Sequence, residues 1–246
     1  MTAWDDNDGM NRAAALVVVT LLAAAGCGSG ERPIPPTGAS DLVLRVSDLP
    51  GLLPLGGTAA VPPSFSLYGD GRLIVPTGGG AWPMFTEHRV PPAEVSRLLG
   101  AAADAGLLDG ADRPAAGPDG PVVVVTAASV SQRHTVKLPR SDRSVAGLRA
   151  ELGRLATDHP GTGYRPAAVA VIAVGNEVPG PARDWTLSAL DDRCTVLRGS
   201  EVDAAQQLAG TADATTIWRF GDRRWSLAFR PLLPDEPDCT ALLPPR

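Results

Sequence analysis

The chain has 246 residues, with 22 Lys and Arg against 27 Asp and Glu and a formal net charge of −5. Residues 1–26 hold three Asp and one Arg, so a chain cut after Gly26 would carry −3. Such a mildly acidic balance offers no electrostatic footprint for nucleic acid, and none is expected as a partner. The length allows one large domain or two small ones, enough to bury a core without a metal.

The first twelve residues contain Asp5, Asp6 and Asp8 and a single basic residue, Arg12. Acidic residues ahead of an apolar segment oppose the positive-inside bias. A start at Met10 would give Met-Asn-Arg instead, with the amine and Arg12 both positive, and Met10 is the expected true start. Ala13–Ala25 follows, thirteen residues of which Thr20 alone is polar. As a helix it would span ~20 Å, short of the ~30 Å hydrocarbon core, so it reads as the apolar part of a secretory signal and not as a membrane span. Leu21-Leu22-Ala23-Ala24-Ala25-Gly26-Cys27 resembles a lipobox, with Ala24 at the position where Leu is usual. Residues 1–26 are therefore expected to be a lipoprotein signal peptide. Cys27 becomes the acylated first residue of the mature protein, whose partner is the cell membrane, on its extracytoplasmic side.

Residues 27–40 are rich in Gly and Pro without apolar periodicity and are expected to form a flexible tether. From residue 41 to 246 the pattern predicts a single α+β domain, mostly antiparallel sheet with about three helices packed on one face. Leu42, Leu44 and Val46 alternate as in a strand. Residues 64–75 form a hairpin turning at Asp70-Gly71, with Pro76 ending its second strand. Residues 77–90 read as a long connection carrying Gly78-Gly79-Gly80 and then Trp82, Met84 and Phe85. A helix over 92–105 presents Val95, Leu98, Leu99 and Ala102 on one face.

Val122–Thr126 and His134–Leu138 predict a second hairpin. Ser141 or Asp142 then caps a helix with Val145, Leu148, Leu152 and Leu155 inward. The Pro- and Gly-containing segment 159–166 reads as a linker, the place where the domain would divide if it has two subdomains. Ala167–Val174 is a strand, and 175–193 is irregular with Trp185 and Leu187 facing the core. Cys194–Leu197 is a short strand, and Ser200 caps a helix with Val202, Ala205 and Leu208 inward. A last hairpin spans 215–230, with Trp225, Leu227 and Phe229 on one face. Arg219, Arg223, Arg224 and Arg230 read as its solvated faces and turn.

Three cysteines occur in the chain. With Cys27 taken by lipid and the rest exported, Cys194 and Cys239 are left to form one disulfide. The histidines, His88, His134 and His159, lack metal-ligand spacing, and there is no Gly-x-Ser-x-Gly, phosphate-binding loop or dinucleotide fingerprint. No catalytic residue, metal site or cofactor is expected. The 78–85 loop is the one feature outside the core pattern that points to a partner, because long loops carrying aromatics and Met often do. The competing reading is that these side chains fold back over the sheet edge.

The lipobox, Phe65-Ser-Leu-Tyr-Gly-Asp-Gly-Arg72, and Arg230-Pro-Leu-Leu-Pro-Asp-Glu236 ahead of Cys239 resemble an uncharacterised family of actinobacterial cell-envelope lipoproteins. The resemblance implies an envelope location and a disulfide, and it brings no activity. The leading expectation is a membrane-anchored lipoprotein acting as a binding or interaction module, toward an envelope protein or a small ligand. The alternatives are an envelope hydrolase with a dispersed active site and a purely structural envelope component.

Overall fold

The computed structural model describes residues 32–51, 57–113 and 120–243, so the expected signal peptide and Cys27 lie outside the described residues. Residues Pro33–Arg246 cluster as one compact unit. The class is α+β, as expected, but the strands form two sheets, and the helices are shared between them.

The first sheet has seven strands. They are β1 (Leu42–Leu49), β2 (Phe65–Tyr68), β3 (Arg72–Gly78), β4 (Met84–Arg89), β5 (Val122–Ala128), β6 (Arg133–Pro139) and β7 (Gly161–Gly163), in the order β6-β5-β1-β2-β3-β4-β7. All its neighbours are antiparallel. The second sheet holds β8 (Ala168–Asn176), β9 (Arg183–Asp184), β10 (Cys194–Arg198), β11 (Ile217–Phe220) and β12 (Arg223–Pro231), in the order β10-β8-β12-β11-β9. Only its β11–β9 pair is parallel. Four helices accompany them: α1 (Gly57–Ala60), α2 (Pro92–Asp104), α3 (Arg143–Asp158) and α4 (Ser200–Gly210).

The core follows the apolar periods. Val95, Leu98, Leu99 and Ala102 of α2 and Val145, Leu148, Leu152 and Leu155 of α3 bury against Leu44, Val46, Val123, Val125 and Val136 of the first sheet. In α3, Asp142 is the cap, its carboxylate accepting from the Ser144 amide at 2.9 Å. On the second sheet the strand period of two separates Val169 and Val171, which face α4, from Ala168, Ala170 and Ile172, which face α1 and Leu242. Trp218, Trp225 and Phe229 fill the α4 side.

Several local expectations change. A bulge between Leu42 and Leu44 sends Leu42 to the opposite face of β1, where it meets Tyr68, Ile74 and Leu233. Pro76 does not end β3; the strand continues to Gly78 through a second irregularity, the setting in which a strand tolerates a residue without an amide hydrogen. Residues 84–89 are a strand and not loop, and residues 161–163 pair with them. The chain therefore leaves the first sheet only after Gly163 and enters the second at Ala168. Gly199, at φ +57°, is the residue before α4, and Ser200 is its first helical residue; Leu208 is only partly buried, and Ala209 takes its inward place.

Of the expected tether, residues 27–31 lie outside the described residues, and the rest is seated on the domain. Pro33–Ser40 lies against the domain: the Ile34 carbonyl accepts from the Val130 amide at 2.9 Å, and the Ala39 carbonyl accepts from Arg72 at 2.5 Å. It crosses the β2–β3 turn at Gly69, where a Cβ would run into the Pro36 carbonyl. The segment is held by these backbone contacts, and its last residues form a turn closed by the Asp41 amide donating to the Gly38 carbonyl at 3.1 Å.

Candidate functional site

Where the two sheets adjoin, a cavity of about 440 Å³ opens. Its walls come from three distant stretches, closed by Pro231 at the end of β12. Trp82, Pro83, Met84 and Phe85 arrive from the β3–β4 connection and the start of β4. Tyr164, Arg165 and Pro166 arrive from the passage between the sheets, and Val202, Asp203 and Gln206 from the first turns of α4. The size is that of a pocket for a small ligand or a few residues of a peptide.

The three residues singled out in the 78–85 loop are all at this cavity and behave differently. Phe85 is buried, 5% exposed, with its ring edge-on to Tyr164 at 6.3 Å. Its burial follows from its place in β4, which the polar run Thr86-Glu87-His88 hides from a periodicity reading. Trp82 is half-buried and folds back across the sheets, its ring 6.1 Å from Phe229 of the second core. Met84 stays 54% exposed, one of three large apolar residues so exposed among the described residues. The loop thus both caps a core edge and leaves one soft, adaptable side chain at the mouth.

The polar lining comes from residues that the sequence reading did not single out. The side chains of Arg165 and Asp203 are exposed and make no hydrogen bond or ion pair with any described residue, and that of Gln206 beside Asp203 on α4 makes none either. Most described arginines do have such partners. The Tyr164 hydroxyl is committed elsewhere: it donates to the Leu232 carbonyl at 2.8 Å, and burial pushes the phenol up to about 12. It fixes the cavity wall and does not titrate at neutral pH.

A second polar cluster ties the first sheet to the segment after β12. The Arg45 guanidinium reaches Asp235 at 2.6 Å and Glu236 at 3.2 Å, and Arg230 reaches Glu236 at 2.9 Å. Tyr68 donates to Asp235 at 2.8 Å, and the Leu233 amide donates to the second Glu236 oxygen at 2.9 Å. Burial opposes the charge on Arg45, but Glu236, Tyr68 and Asp235 outweigh it and hold the guanidinium above its ordinary value. Burial lowers Arg230, with Glu236 opposing. Arg230, read from sequence as solvated, is 2% exposed, because its carboxylate partner comes from the Pro-rich tail six residues on. Its neighbours on the last hairpin are surface residues, with Arg219 paired to Asp184 and Arg223 to Asp192.

Although two carboxylates stand side by side in this cluster, all four of their oxygens are engaged, Asp235 also by Arg133 at 3.6 Å. They offer no free base for acid–base catalysis, and the cluster is a latch between elements. The disulfide lies on the same tail. Cys194 of β10 and Cys239 are bonded, with Cα atoms 6.0 Å apart, so the segment carrying Asp235 and Glu236 is fixed at both ends.

Two of the three histidines meet, through one ring and one backbone carbonyl. His88 is hydrogen-bonded through Nδ1 to the His159 carbonyl at 2.7 Å, which seats the end of α3 on β4. Among the described residues no group of three or more His, Cys, Asp or Glu is placed to hold a metal ion. No helix among them is long and apolar enough to cross a membrane. The chain matches no protein-family model, no curated protein and no solved structure.

Proposed function

We propose that the chain is an extracytoplasmic lipoprotein, held at the cell membrane by acyl chains on Cys27, which binds a ligand in the cavity between its two sheets. The reading of Cys27 rests on the apolar run and lipobox-like segment before it and on the likeness to actinobacterial lipoproteins. The observation that carries the binding reading is the pairing in one open cavity of an apolar wall, Trp82 and Met84, with unpartnered groups of both signs, Arg165 and Asp203. A surface that needed these groups only for solubility would not gather them around an exposed Met and a half-buried Trp. The complementary ligand has an apolar face flanked by an anionic and a cationic group, which is the chemistry of a short peptide.

The test is calorimetric titration of the full chain, purified from membranes in detergent, with a panel of zwitterionic tri- and tetrapeptides of varied side chain. Peptides with an apolar residue bind the wild type, and Arg165→Ala and Asp203→Ala each weaken them by tenfold or more. Absence of binding across the panel, or binding that neither substitution alters, would overturn the assignment.

A further inference from the structure

Ile34 and Val130 are the other two large apolar residues left exposed among the described residues, at 62% and 69%. They are 96 positions apart in sequence but adjacent in space, since the Val130 amide donates to the Ile34 carbonyl. Val130 sits at the tip of the β5–β6 hairpin, where Ser129 and Gln132 close the turn through a 2.8 Å backbone hydrogen bond. The two segments that meet there, Pro33–Thr37 and Ser129–Gln132, contain no charged residue, in a chain that is 20% charged. Isolated exposed apolar residues are ordinary. Two that share one tip, with charge only at its borders in Arg32 and Arg133, form a small apolar surface, and the length of the chain before them points to what it meets.

From Cys27 to Ile34 there are seven residues, at most ~25 Å when fully extended. Because Pro33–Ser40 is bound to the domain, the tip is the part of the domain nearest the anchor along the chain. We propose that Ile34 and Val130 form a membrane-contacting surface, entering the headgroup layer of the bilayer that holds Cys27. This rests on the acylation of Cys27 proposed above. Two side chains would not retain a protein at a bilayer unaided. A short tether, however, converts their contact into an intramolecular event at high effective concentration, so a weak insertion is populated. The consequence is orientation: the hairpin tip faces the bilayer, and the domain does not tumble freely on its anchor. The residues that flank the tip, Arg32 and Arg133, are exposed and both positive, so the charge nearest the contact suits anionic headgroups.

The chain supplies a direct test, since Cys27 is acylated and Cys194 and Cys239 are joined, which leaves an added cysteine as the one free thiol. Val130→Cys is labelled with an environment-sensitive nitrobenzoxadiazole group in the full acylated protein and reconstituted into phosphatidylcholine–phosphatidylglycerol vesicles. Asp222→Cys, on the exposed β11–β12 turn, is the control. The label at 130 shifts to the blue and resists an aqueous quencher severalfold better than the label at 222. Ile34→Asp in the Val130→Cys protein abolishes that difference. Equal quenching at 130 and 222 in protein that floats with the vesicles overturns this surface and leaves the anchor standing. Protein that neither carries lipid on Cys27 by mass spectrometry nor floats removes the anchor and the surface together. Protection that rises with protein density on the vesicle assigns the tip to a second copy instead and also overturns the proposal.

Discussion

Arg230 and Glu236 meet at 2.9 Å with side chains only 2% and 4% exposed, and the same Glu236 oxygen lies 3.2 Å from Arg45 on the other sheet. One carboxylate thus bridges two guanidinium groups, with Asp235 supplying the second negative charge at 2.6 Å from Arg45, and joins elements almost 200 positions apart. Breaking a buried pair from one side leaves an uncompensated charge, which costs about 3–5 kcal/mol. Glu236→Gln should lower the unfolding free energy by about that much in urea denaturation with the disulfide intact. A loss below about 1 kcal/mol, the range of exposed pairs, would show that the latch is not a dominant contact.

The disulfide closes a sequence separation of 45 residues. By the chain-entropy account its removal destabilises by about 4 kcal/mol, an upper estimate. Cys194→Ala/Cys239→Ala should therefore unfold at lower denaturant. Because the bond and Glu236 hold the same tail, adding Glu236→Gln should be markedly non-additive. Strict additivity of the two losses would mean that the tail is held independently at each point.

At Asp142 burial raises the carboxyl, but hydrogen bonds from Arg113 and the Ser144 amide outweigh it and place it below its ordinary 3.8. A depressed folded value means that the ionised form binds its partners in the native state. That stability is fully present above the ordinary value and is lost as pH falls through the depressed one. Asp142→Asn should flatten the acid limb of the stability profile below about pH 4 and leave the slope near neutrality unchanged. An unaltered acid limb would contradict the capping role.

Gly69 faces the Pro36 carbonyl where the N-terminal segment crosses the β2–β3 turn. Gly69→Ala should displace that segment while the sheets persist. Hydrogen exchange would report it as faster exchange at the Val130 amide, which is bonded to the Ile34 carbonyl, with amides of β1 and β5 unchanged. Unchanged protection at Val130 would show that the segment tolerates the added methyl.

What could be read from the chain was local. Asp70-Gly71 marks its own turn, with Gly71 at φ +83°, and the apolar stripe of α3 marks its buried face. Strands β4 and β7 were not legible, because Thr86-Glu87-His88 and Gly161-Thr162-Gly163 lie toward an edge of the sheet and carry little apolar signal. Arg230 looked solvated, since the charge that permits its burial stands in a Pro-rich tail with no periodicity. The cavity was half legible: the aromatic and Met side of it stands out in composition. Arg165 and Asp203 acquire meaning only when the passage between the sheets and α4 are brought to one place.

The central claim is that the cavity beside Met84 is occupied when the protein is at its membrane. Photocrosslinking in intact cells reads this directly, with p-benzoylphenylalanine replacing the exposed Met84 and, as control, the exposed Asp222. The account predicts a discrete adduct at 84 that falls several-fold with Arg165→Ala and has no counterpart at 222. Adducts at 84 no stronger than at 222, or unchanged by Arg165→Ala, would contradict it.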